Sequence, residues 1–222
     1  MALSAAEEES IDAIKRWWNE SGRQIALGIA AVALVYFGWQ FWQNSQTQAS
    51  AQASAVYDRL SALAVAAPGE MISEEARTQA EELIATLKSE HGDSVYALYG
   101  ALFGARLAVE NDDLAGAQQE LEWLLANTRS GLFGSTDETL VQLAQLRLGR
   151  VLLASDQTER ALTLISGVSE GSLQAEFEEL RGDIYLAQGQ RDEALRAYQT
   201  AADLGSANPV LQMKISELQG SL

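Results

Sequence analysis

Residues 25–42 form an eighteen-residue run with no charged side chain and one amide, Gln40. No Asp, Glu, Lys, Arg or His occurs between Arg23 and Asp58. An α-helix rises about 1.5 Å per residue, so this run reaches about 27 Å, close to the hydrocarbon thickness of a bilayer. A helix satisfies its backbone polar groups internally and can lie in lipid without water. The same run would also suit the core helix of a soluble domain. Two features argue for a single membrane span instead. Its apolar residues occur all round the helix rather than along one stripe. Its far end carries Tyr36, Phe37, Trp39, Phe41 and Trp42, whose rings suit the headgroup level, and Trp17 and Trp18 can play that part at the near end. Ile25, Leu34, Tyr36, Trp39 and Trp42 are the candidate anchor residues.

Lys15, Arg16 and Arg23 precede the run, and no further basic residue occurs before Arg59. Lys and Arg are retained on the cytoplasmic side, so the N-terminus is expected inside and the bulk of the chain outside. Glu7, Glu8, Glu9, Asp12 and Glu20 weigh little in that rule. A cleaved signal peptide is the rival reading, since Ala49-Ser50-Ala51 and its neighbours have the small residues of a cleavage site. The run is longer than the 7–15 residues usual for such a peptide, which favours an uncleaved anchor.

After residue 42 the chain holds 12 basic against 26 acidic residues, a net charge of −14. Such a domain repels nucleic acid and anionic lipid. With no cysteine, it folds without disulfides, and thiol catalysis and cysteine-held metals are excluded. Only Pro68 and Pro209 interrupt an Ala-, Leu-, Glu- and Gln-rich chain, which predicts an all-α fold.

Along the chain, Ile11, Ile14 and Trp18 share the face of a short amphipathic helix. Ala49, Ala53, Val56, Leu60 and Leu63 follow the span at spacings of 4, 3, 4 and 3. This narrow seam suits a short coiled coil or, given its two heptads, packing onto the following domain. Ala67-Pro68-Gly69 ends that helix. The next runs from Ser73, a candidate N-cap, to His91, with Leu83, Ile84 and Leu87 inward and Gly92 a candidate C′ residue. His91, the only histidine, has no orienting partner or nucleophile near it in sequence and reads as a helix end.

A repeat follows. The last copy holds Gly182, Tyr185, Gly189, Ala194, Tyr198 and Ala201, and the first five are matched thirty-three residues earlier by Gly149, Leu152, Asp156, Ala161 and Ile165. A weaker copy holds Ala105, Ala108, Asp112, Ala117, Leu121 and Leu124. In each copy twelve residues separate the two small residues: Ala105 and Ala117, Gly149 and Ala161, Gly182 and Ala194. This pattern resembles the tetratricopeptide repeat, in which small residues let two helices approach and aromatics such as Tyr185 and Tyr198 fill the space beside them. The copies diverge: Gln145 and Glu178 stand where a large residue usually opens the first helix, and Arg181 where Leu is usual. About ten extra residues around Phe133 predict a surface loop. Asn208-Pro209 opens a last helix whose Leu211, Ile215 and Leu218 cover the final hairpin.

No phosphate loop, metal-ligand spacing or nucleophile elbow occurs, so no catalytic, cofactor-binding or metal-binding residue is expected. Asn111-Asp112-Asp113 has the oxygens of a cation site, but its place between two repeat helices predicts a turn and an N-cap. Glu176, Glu178 and Glu179 read as a solvated helix face.

The order of these parts resembles the YfgM family of ancillary subunits of the bacterial SecYEG translocon. Lys15-Arg16-Trp17-Trp18, the span ending Gly38-Trp39-Gln40-Phe41-Trp42 and the run Glu179-Leu180-Arg181-Gly182-Asp183 carry the likeness. It implies a single-pass inner-membrane protein of a Gram-negative bacterium, with a cytoplasmic N-terminus and a periplasmic domain of tetratricopeptide-like hairpins. The implied partners are the translocon and a membrane-anchored periplasmic chaperone of the parvulin-like type, with neither nucleic acid nor a small-molecule substrate. The expected parts are a cytoplasmic segment 1–24, a span 25–42, a connecting helix 43–69 and the hairpin domain 70–222. The protein is expected to bind rather than catalyse. A membrane-anchored scaffold in envelope or division-complex assembly is the other reading.

Overall fold

The computed structural model describes residues 15–18, 22–63, 72–128, 136–168 and 171–220. Ser10 to Ala13, Ala67-Pro68-Gly69 and Phe133 lie outside them. The described elements are all helices: α1 (Arg23–Leu63), α2 (Glu74–Glu90), α3 (Val95–Glu110), α4 (Leu114–Ala126), α5 (Glu138–Ala154), α6 (Thr158–Ser166), α7 (Gln174–Ala187), α8 (Arg191–Asp203) and α9 (Leu211–Gly220). The chain divides into two compact units, 1–52 and 53–222.

In the first unit α1 is bare. None of the residues in its apolar window is buried, and Leu34 and Phe41 are 76% and 78% exposed. This overturns the buried-core alternative, because a core helix would have its apolar face covered. α1 has 41 residues, about 60 Å at the helical rise.

The second unit is a series of helical hairpins. Ala53 and Leu60 of α1 are fully buried against Ala80, Ile84, Leu87 and Ala97, with Val56, Tyr57 and Leu63 partly buried beside them. The apolar seam therefore packs onto α2 and α3 as the spacing suggests, although its first member, Ala49, is exposed. Ser73 caps α2 by accepting the Ala76 N–H at 3.2 Å. His91 is the residue that ends α2, and its N–H donates to the Leu87 carbonyl. Gly92 follows without the left-handed backbone expected of it, since Ser94 already caps α3 through the Ala97 N–H.

Three hairpins come next, α3–α4, α5–α6 and α7–α8, and each turns in the same way. Asp112, Asp156 and Gly189 stand seven residues after Ala105, Gly149 and Gly182, and all three are left-handed, with φ of 58°, 59° and 76°. The following N–H reaches back to the carbonyl five residues earlier, at 2.8 Å in all three: Asp113 to Ala108, Gln157 to Leu152, Gln190 to Tyr185. This is the Schellman closure of a helix end. Asp113 then caps α4 by accepting the Gly116 N–H at 2.8 Å. Asn111-Asp112-Asp113 is thus a turn and a cap.

The small residues sit where the helices meet. Ala117, Ala161 and Ala194 are fully buried, and Ala105 nearly so. A Cβ on Gly182 would stand 2.4 Å from the Tyr198 ring, and one on Gly149 2.7 Å from Leu180 Cδ2. Tyr198 is fully buried, and Tyr185 is partly buried beside it against the last helix.

α9 closes the stack. Leu211, Ile215 and Leu218 are buried on α8 with Ala194, Tyr198 and Ala201. Asn208 accepts the Val210 N–H at 3.0 Å, and its side-chain N–H donates to Glu179. Lys214 reaches across to Asp183 at 2.7 Å and Glu179 at 3.2 Å, with its ammonium 5.3 Å from the centre of the Tyr198 ring. The Tyr198 hydroxyl donates to Asp183 at 2.6 Å. Glu179 is only 6% exposed, and Glu176 and Glu178 are half-buried. The solvated-face expectation fails most clearly at Glu179, which is held by donors from α9 and the loop before it.

Burial alone would lower the Lys214 pKa, but hydrogen bonds and charge from Asp183 and Glu179 outweigh it and hold the ammonium above its ordinary 10.5. Burial, then Asp183, push the Tyr198 hydroxyl the same way. Both raised groups stabilise the fold fully below their ordinary range and cease to do so as pH rises through their folded values. The cluster should therefore hold at neutral pH and weaken only above about pH 10. Lys214→Met should cost about 2 kcal/mol at pH 7, by leaving the mostly buried Glu179 short of a partner, with the loss discounted for the part-exposed Asp183. Gly182→Ala should cost about 2 kcal/mol through overpacking against Tyr198. Gly189→Ala, where a Cβ meets nothing within 4 Å, should cost about 1 kcal/mol through its left-handed backbone alone. Urea unfolding of the full chain in neutral detergent measures all three, and Gly189→Ala exceeding Gly182→Ala would refute the close-approach argument.

Candidate protein-interaction surface

The hairpins place their first and second helices in two rows. Along the second helices the polar side chains satisfy each other. Lys88 of α2 donates to both Glu120 oxygens of α4, at 2.8 and 2.9 Å, and lies 5.0 Å from the Trp123 ring centre. Glu122 of α4 accepts from Arg160 of α6 at 3.0 Å, and Gln157 donates to Gln118 at 3.1 Å. These cross-links tie successive hairpins together. A polar cleft of about 510 Å³ lies over this row, lined by Arg77, Lys88, Asn111 and Glu120 among others.

Between the first helices lies a different cavity, of about 530 Å³. α3 contributes Ala105, Arg106, Val109 and Glu110; α5 contributes Arg147, Arg150, Val151 and Ala154; Leu114 and Leu121 of α4 complete its lining. The spacing explains the pattern, since residues three and four apart on a helix share one face. Leu121 and Val151 are buried, whereas Val109 is 45% exposed. Arg106 pairs with Glu110 at 2.6 Å. Arg147 and Arg150 form no ion pair among the described residues. Burial first, then the charges of Arg150 and Arg106, lower the Arg147 pKa from its ordinary value. It stays charged at neutral pH, because a guanidinium titrates far above that range.

The repeat-packing candidates lie where helices meet. Ala105, Ala117, Gly149, Ala161, Gly182, Ala194 and Tyr198 are buried and Tyr185 is partly so, and of these only Ala105 lines the cavity. Among the anchor candidates, Leu34, Tyr36, Trp39 and Trp42 are all more than half exposed. Ile25 belongs to α1, and its side chain lies outside the described structure. The arginine-lined cavity escaped the sequence reading. Its signal is faint: Arg106 belongs to one hairpin, Arg147 and Arg150 to the next, and no pattern along the chain joins them.

The family model of the tetratricopeptide repeat-like domain matches residues 15–220. A Haemophilus influenzae protein, the ancillary SecYEG translocon subunit, is 31% identical over 221 residues, covering 98% of this chain and all of the relative. A protein of the same name from Aggregatibacter actinomycetemcomitans is also 31% identical, with 98% and 100% covered. The Escherichia coli K12 protein of that name is 28% identical, with 98% and 99% covered. No solved structure matches the chain. Among the described residues one apolar helix is long enough to cross a membrane; with the hairpins that follow, their turn and packing, and similarity over nearly the whole length, this leads to one conclusion: the chain belongs to the tetratricopeptide repeat-like YfgM family, together with these ancillary translocon subunits.

Proposed function

We propose that this chain is a non-catalytic ancillary subunit of the SecYEG translocon, which holds a protein-binding domain beside the exit of the channel and couples export to periplasmic chaperones. The observation that carries this reading is the likeness to ancillary SecYEG translocon subunits across nearly all of this chain and all of the relative. Residues 25–42 are the span in the inner membrane, 1–24 the cytoplasmic segment, 43–69 the connecting helix and 70–222 the periplasmic hairpin domain. Lys15, Arg16 and Arg23 before the span, with no basic residue after it until Arg59, support that orientation. Confinement beside a membrane-bound partner raises the effective concentration of the hairpins there without any new contact. Stacked hairpins offer an extended surface suited to protein segments. A membrane-anchored chaperone of the parvulin-like prolyl isomerase type is the partner that would receive the emerging chain.

Cross-linking in living cells, gentle solubilisation and recovery of a C-terminally tagged copy test this. Translocon subunits together with a periplasmic chaperone should be retained, and a copy lacking residues 1–42 but exported by another signal should lose the translocon. Equal retention by that copy would refute the tether. Recovery of division or envelope-assembly proteins without the translocon would replace this reading with a membrane-anchored scaffold.

A further inference from the structure

We infer that the cavity between α3 and α5 docks an acidic segment of a partner protein, with Arg147 and Arg150 receiving its carboxylates and the Val109–Leu121–Val151 floor an adjoining apolar side chain. This rests on the reading that the hairpins bind proteins, and not on which membrane complex the chain serves.

Charge complementarity carries the argument. The part of the chain after residue 42 has a net charge of −14, yet three arginines and a single carboxylate line this cavity. That carboxylate, Glu110, is engaged by Arg106. Several long basic side chains elsewhere are neutralised from within: Lys88 by Glu120, Arg160 by Glu122, Lys214 by Asp183 and Glu179. Arg147 and Arg150 stand three residues apart on one helix face with no such partner, and their like charges oppose each other. A carboxylate relieves that repulsion, and the planar guanidinium binds it through two parallel hydrogen bonds.

The floor narrows the partner further. At about 530 Å³ the cavity is of ordinary ligand-cleft size, and its base is aliphatic. A nucleic acid would need a continuous basic stripe, which the three arginines of this cavity do not make. A peptide with Asp or Glu beside Leu, Ile or Val matches both the rim and the floor.

The full chain in neutral detergent, titrated against a short fluorescein-labelled peptide of Glu and Leu and against its Gln-for-Glu counterpart, tests the inference by anisotropy. The Glu peptide should bind at least about tenfold more tightly, as expected for a charge-assisted pair, and added salt should weaken it. Arg147→Gln with Arg150→Gln should abolish the preference, whereas Arg196→Gln, at an exposed position of α8, should keep it. Helicity and the unfolding midpoint check the fold. Arg150→Gln alone, at an exposed position, should lower the preference severalfold and covers the case in which the double variant unfolds. Equal affinity for both peptides, or an unchanged preference in the double variant, would overturn the inference. So would capture of dihexanoylphosphatidylglycerol without discrimination between the peptides, which would assign the cavity to a lipid headgroup. Retained translocon cross-linking with no peptide preference would defeat this inference alone. A peptide preference without translocon cross-linking would defeat the proposed function alone.

Discussion

Close approach of paired helices is the constraint on which the hairpin domain depends. At Gly182 the α7 backbone lies against the Tyr198 ring with no room for a methyl group, and at Gly149 the α5 backbone lies close to Ile165 of its own hairpin and closer still to Leu180 of the next. Such contacts are worth little singly, but interiors are packed to crystal density and tolerate neither gaps nor intrusion. The turn seven residues later maintains that distance. A left-handed residue at Asp112, Asp156 or Gly189 reverses the chain in the fewest residues while satisfying the last carbonyls of the first helix. Gly189 adopts that backbone freely, whereas the two aspartates adopt it against their Cβ. Repeat spacing, turn chemistry and helix packing are therefore one requirement seen at three levels.

The end of the stack solves a different problem. A solenoid must cover the apolar face of its last hairpin, and α9 does so with Leu211, Ile215 and Leu218. Around that apolar contact lies a polar cluster in which Lys214 joins two carboxylates of α7, Asp183 and Glu179. Partly buried charge of this kind contributes less to net stability than its short distances suggest, because desolvation offsets attraction. It does fix where α9 sits, since a shifted α9 would leave Glu179 buried without its donors. The run Leu180-Arg181-Gly182-Asp183, which marks the family resemblance, thereby acquires physical meaning. Leu180 fills the space beside Gly149, Gly182 admits Tyr198, and Asp183 accepts from Tyr198 and Lys214.

The charge distribution separates scaffold from surface. Along the second helices, opposite charges from neighbouring hairpins meet at 3.0 Å or less and hold the stack in register. Between the first helices two arginines remain unmatched above an aliphatic floor. A domain with a large negative charge stays soluble and resists unspecific association, so a local positive site within it discriminates strongly by charge. The apolar part of α1 has the length and composition to cross a membrane.

Much of this was legible along the chain because it depends on near neighbours. The membrane-length run, the alanines and glycines twelve apart, the caps at Ser73 and Asp113 and the end of α2 at His91 are each set by residues within a few turns, where propensity and spacing act directly. Gly92 shows the limit even there, since the early cap of α3 by Ser94 removed the need for a left-handed residue. What only the tertiary structure decided involves residues far apart in sequence. Glu179 reads as solvated until Asn208 and Lys214, 29 and 35 residues later, come to rest on it. Arg106 and Arg147 belong to different hairpins, and only stacking brings them to one cavity. The sequence by itself determined which segments are helical, where they turn and that one of them suits lipid, because backbone and side-chain chemistry act locally. Which charges are matched and which are left facing a cavity was decided by the packing of hairpin on hairpin, because electrostatic partners are chosen by distance in space.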